Sequence, residues 1–130
     1  MASRIPRLLL AIAALLMLFA AVMHALAYRK ADAAVAVSNL AAFFGASLRT
    51  FWLNDSAVTA IVAAICILLV VRPQAASRAV ILLLALIPAT IGVLLYIFLG
   101  NFFAAPFMLV VAALVFAAGL SWPKTAAQIS

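Results

Sequence analysis

The sequence predicts an all-α polytopic membrane protein: a four-helix bundle of transmembrane spans in a single domain covering residues 1–130. Three observations carry that prediction. The chain is 72% hydrophobic and only 8% charged, where a soluble domain has about 25% charged residues. A water-soluble fold this small leaves too much surface exposed to hide so many apolar side chains, and lipid removes the conflict. The charges that do occur sit at the edges of long apolar runs, as they do at membrane flanks.

The gaps between charges set the spans. A crossing helix needs about 20 apolar residues. Residues 8–28, between Arg7 and Arg29, are apolar apart from His24 and the hydroxyl of Tyr28 and make the first span. Residues 50–71, between Arg49 and Arg72, contain one charge, Asp55, and hold the second, at 55–71. Residues 79–123 carry no charge and are long enough for two spans, about 79–99 and 102–121. Leu99-Gly100-Asn101 supplies the turn between them, because Gly and Asn tolerate the backbone angles of a tight reversal. Pro88 falls mid-span and predicts a kink. Pro106 lies near the start of the fourth span, where it costs less. Trp122-Pro123-Lys124 reads as an interfacial aromatic, a helix stop and a basic anchor.

The segment 33–53 admits two readings. Asp32 would cap a helix from Ala33 to about Leu53 whose bulky stripe is Val37, Leu40, Phe44, Leu48 and Phe51. Ser38, Asn39, Ala42, Gly45, Ala46, Arg49 and Thr50 lie on the other face. The favoured reading is an amphipathic helix lying on the outer face of the membrane between the first two spans. The competing one is a short fifth span or re-entrant piece. Asn54-Asp55-Ser56 then reads as a break and N-cap that starts the second span.

With four spans, Arg4, Arg7, Arg72, Arg78 and Lys124 share one side and Arg29, Lys30 and Arg49 the other. The richer side is expected to be cytoplasmic, which places both termini there. Compact size, short loops and abundant Ala and Leu suggest a plasma membrane of bacterial inner-membrane type. Arg4, Arg7, the apolar run and Ala25-Leu26-Ala27 also resemble a signal peptide with its cleavage site, although the run has the length of a span.

Topology gathers the remaining polar residues near the outer leaflet: His24, Tyr28, Arg49, Asn54, Asp55, Tyr96 and Asn101. Ionisable groups at membrane depth are expensive and are functional candidates for that reason. Each also has a plainer explanation. His24 can satisfy a neighbouring backbone group or Tyr28; Asp55 can cap a helix; Arg49 can snorkel beside Trp52. Cys66 reads as a packing residue, and Gly45, Gly92 and Gly119 as sites of close helix approach.

Net charge +6 with basic residues at span edges points to lipid headgroups and gives no sign of nucleic-acid binding. One His and one Cys cannot make a zinc ligand set, and a lone His supports haem poorly. No cofactor is expected. The leading expectation is a non-enzymatic accessory, assembly or scaffold component, with the bilayer and another membrane protein, or itself as a homo-oligomer, as partners. The alternative is a small homo-oligomeric transporter or channel with His24 as its titratable group. A third reading, an enzyme on lipid or quinone headgroups with His24 as base and Asp55 orienting it, has few polar groups to work with.

Overall fold

The computed structural model describes residues 4–123. They form α1 (Arg4–Ala36), α2 (Ala42–Val71), a single 3-10 turn at Pro73–Ala75, α3 (Arg78–Leu99) and α4 (Ala104–Ser121). Each of the four is long and apolar enough to cross a bilayer. The chain is thus a multi-pass α-helical membrane protein with helices running up, down, up and down. Arg4, Arg72, Arg78 and Ser121 mark its terminal end. The loops 37–41 and 100–103 mark the opposite, distal end. Lys124 lies outside the described residues.

The helices differ in length, and this changes the reading of the segment 33–53. At 1.5 Å per residue α1 and α2 are about 50 and 45 Å long, while α3 and α4 are about 33 and 27 Å. The first two therefore continue about 15 Å beyond the second pair at the distal end. Residues 33–53 form no separate helix of their own. Residues 33–36 finish α1, 37–41 turn, and 42–53 are the first part of α2. As helices, α1 continues past residue 28 and α2 starts well before residue 55. Asn54-Asp55-Ser56 lies inside α2 and breaks nothing, and Asp32 lies inside α1 and caps nothing.

The physical reason is that α1 and α2 keep packing after both have passed their flanking charges. A Cβ at Gly45 would stand 3.1 Å from Val35 Cγ1, so the two helices touch closely near the tip. One turn nearer the bundle, Arg49 Nε donates to Asp32 Oδ1 and clips the helices together. Ser38, whose hydroxyl donates to the carbonyl of Val35 at 2.7 Å, ends α1. The bulky stripe Val37, Leu40, Phe44, Leu48 and Phe51 does face outward, with Phe43 beside it at 75% exposure.

Helix contacts follow the order α2, α1, α4, α3. The helices make an open row: α2 and α3 are joined by the 3-10 turn but scarcely touch above it. The shared core is Leu10, Ala13, Ala14 and Met17 of α1, Val62, Ala63, Cys66 and Leu69 of α2, Ile81 and Ala85 of α3, and Val111, Val115 and Ala118 of α4. Five alanines at its centre fit association in lipid, where close backbone approach and dispersion replace the hydrophobic effect. Trp122, at the terminal end of α4, is packed into this core at 6% exposure.

Ser77 caps α3 by accepting from the Val80 amide at 3.2 Å. Pro88 is buried within α3 and leaves the carbonyl of Leu84 without its helical donor. The predicted reversal after Leu99 is present. Gly100 takes φ 69 and ψ −147, a region open essentially to glycine alone, while Asn101 needs no positive φ. Gly100→Ala should therefore destabilise the α3–α4 hairpin by about 1–3 kcal/mol. Reversible unfolding in mixed micelles checks it, and an unchanged midpoint would mean that the turn relaxes freely.

Candidate functional site

The α1–α2 interface assembles one polar cluster. On α1, residues 10, 14, 17, 21 and 24 recur at three- and four-residue spacing and so share one face. Leu10, Ala14, Met17 and Ala21 of that face are buried, and His24 is its first polar member. On α2 the matching face runs Trp52, Ser56, Thr59, Ala63 and Cys66, with Ser56 and Thr59 buried. Registering the two faces brings His24 against Trp52 and Ser56.

The contacts are specific. The imidazole of His24 stacks on the indole of Trp52, with centroids 4.3 Å apart and planes 8° from parallel. Trp52 Nε1–H donates to the backbone carbonyl of His24 at 2.8 Å. His24 Nδ1 is 2.9 Å from Ser56 Oγ and 3.6 Å from Asp55 Oδ2. Ser56 Oγ is also 3.3 Å from the carbonyl of Trp52, to which it donates. The consistent pattern then has Nδ1–H donating to Ser56 Oγ, an arrangement that the nearby Asp55 carboxylate favours. Among the described residues no buried side-chain nitrogen or oxygen is left without a partner.

Asp55 is the exception to this closure. Its side chain is 43% exposed, and among the described residues it accepts no hydrogen bond. It faces a cleft of about 540 Å³ between α2 and α3, walled by Phe51, Asn54 and Val58 on one side and Leu86, Ile87, Thr90 and Ile91 on the other. A second hollow of about 380 Å³ continues along α3 past Leu94 and Leu95 to Leu99, and Asp55 borders it too.

The seven candidate residues thus occupy several places. His24 and Asp55 are together. Arg49 is paired with Asp32, two helical turns further toward the distal end than Ser56. Asn54 is on the cleft wall. Tyr28 is half-buried on α1, and His24 turns its Nδ1 toward Ser56 and Asp55. Tyr96 and Asn101 are exposed on the α3–α4 hairpin, across the open side of the row. Ser56 was legible only as part of a break and Trp52 only as the residue beside which Arg49 snorkels. The spacing 45, 49, 52, 56 and 59 was the available signal, since it continues one small and polar face through the supposed break.

Chemically, the cluster holds an imidazole rigidly and presents a carboxylate sideways to an apolar cleft. Among the described residues no group of three or more His, Cys, Asp or Glu side chains is placed to hold a metal ion. Compared with known proteins, the chain matches no family model, no curated protein and no solved structure.

Proposed function

We propose that the protein is a non-enzymatic accessory or scaffold component that completes its own bundle by packing against another membrane protein. The observation that carries this reading is the unfilled side of the row, where α2 and α3 stand apart over an apolar cleft. A transporter or an enzyme needs a polar cavity in which its titratable groups meet a substrate. Here His24 and Ser56 are engaged with each other, Arg49 is engaged with Asp32, and the cleft is lined mainly by apolar side chains. The protruding α1–α2 tip, with Val37, Phe43 and Phe44 exposed, offers the partner a second contact outside the spans.

The basic residues at the terminal end, Arg4, Arg7, Arg72 and Arg78, support a cytoplasmic position for both termini under the positive-inside rule. A bacterial inner membrane remains the home that composition and short loops favour.

A photoreactive amino acid at Ile91, on the cleft, and at Val110, on the exposed side of α4, tests the reading in native membranes. Discrete protein adducts from Ile91 and lipid adducts from Val110 are expected. Lipid adducts from both positions would remove the accessory reading and bring forward the small homo-oligomeric transporter with His24 as its titratable group.

A further inference from the structure

We infer that the α2–α3 cleft seats one transmembrane helix of a different protein, and that this helix presents a lysine or arginine to Asp55. The inference deepens the accessory reading and rests on it. Its first support is shape. The first hollow lies open between Phe51, Asn54 and Val58 of α2 and Leu86 to Ile91 of α3, and the second continues it along α3 to Leu99 with Asp55 as its α2 wall, about 20 Å of α3 in all at 1.5 Å per residue. A helix about 10 Å across lies naturally in such a trough.

Its second support is charge. Asp55 sits six residues from Arg49, about 9 Å along the helix toward the middle of the span. A carboxylate at that depth is costly unless a cation or hydrogen-bond donors meet it. Ser56, its neighbour, is committed to His24 and Trp52, and His24 Nδ1 stands 3.6 Å away and is bonded to Ser56. One face of the carboxylate is therefore open to whatever enters the cleft. Asn54 and Thr90 lie on the same walls and can meet the remaining protons of an ammonium or guanidinium group.

A second copy of this chain does not fit. Its lysines and arginines are at 4, 7, 29, 30, 49, 72, 78 and 124, all at the ends of the spans. In a parallel copy at equal depth Arg49 stands about 9 Å further out than Asp55 and is held by its own Asp32. A phospholipid headgroup fits poorly as well, because its phosphate would accompany its amine into contact with the carboxylate.

The test uses the full chain in phosphatidylcholine vesicles and a synthetic single-span Leu/Ala peptide. The peptide carries one lysine about 9 Å inside its distal flank. Association is read by energy transfer between labels at the two C-termini. The lysine peptide should bind roughly ten-fold more tightly than its all-apolar counterpart, the size expected of one polar contact between membrane helices. Asp55→Asn should remove that preference and Asp55→Glu should retain most of it. Leu86→Trp, which fills the cleft and leaves Asp55 intact, should weaken binding of both peptides.

Equal binding of the two peptides, or a preference that survives Asp55→Asn, would overturn the inference. So would binding of the lysine peptide that Leu86→Trp leaves unchanged, since the peptide would then meet Asp55 outside the cleft. Asp55-dependent binding of dodecylamine without binding of the peptide would assign the cleft to a small cationic amphiphile instead. Protein adducts at Ile91 that are undiminished in the Asp55→Asn chain would retain the accessory reading while removing this inference.

Discussion

Gly92→Leu is expected to unfasten α3 from α4, at a cost of about 3 kcal/mol, the upper part of the range for overpacking. A Cβ at Gly92 would stand 2.9 Å from Leu109 Cγ and 3.1 Å from the Leu109 backbone nitrogen. The backbone contact decides the matter, because a side chain can swing away but α4 itself must move to admit a larger residue. Gly119 is a useful contrast. There a Cβ would meet Leu82 Cδ2 at 2.8 Å and Cγ at 3.0 Å, and no backbone atom is that close. Gly119→Ala should therefore cost less than Gly92→Ala. Denaturation midpoints in mixed micelles give the ranking, and a reversed order would show that α4 yields more easily than the side chain of Leu82.

Trp52→Ala should be the most damaging change in the polar cluster, by about 2 kcal/mol from lost stacking, packing and one hydrogen bond. Trp52→Phe should cost only about 0.6 kcal/mol, the average for an interhelical hydrogen bond in a membrane protein. The reason is local. A phenyl ring still stacks on His24, and the His24 carbonyl keeps its own helical donor when the indole N–H is removed. Steric trapping of the unfolded state in lipid measures both. If Trp52→Phe proved as costly as Trp52→Ala, the hydrogen bond rather than the stack would be holding α1 to α2.

The number and order of spans were legible because charge placement in a membrane protein is governed by the bilayer, whose thickness is nearly constant. Arg7 to Arg29 and Arg49 to Arg72 each bracket one crossing. The Gly100 turn was legible because only glycine suits its backbone angles. The segment 33–53 was not. Its outward stripe of Val37, Leu40, Phe44, Leu48 and Phe51 resembles an interfacial helix when read alone. The deciding contacts, Val35 with Gly45 and Asp32 with Arg49, link residues on two different helices, which periodicity within one segment cannot register. Ser38-Asn39 was a turn signal inside that segment, and it marks where the chain reverses.

The same limit explains the candidate residues. Their polarity singled out His24 and Asp55, since lipid makes unexplained polar groups conspicuous. What each one touches depends on the register between α1 and α2, and that register is set by small residues such as Ala14, Ala21 and Ala63 whose pattern looks ordinary in sequence. The separation of Tyr96 and Asn101 from the cluster depends on the gap between α2 and α3. No local feature of either helix announces that gap.

An incomplete bundle that acquires its missing neighbour from another protein is the claim on which the functional reading stands. Native mass spectrometry after gentle extraction of the full chain from its own membrane tests it most directly. One copy of the chain with one defined second polypeptide at fixed stoichiometry is expected. A homo-oligomer without a second polypeptide, especially one retaining a small bound molecule, would contradict it and make His24 the first residue to replace.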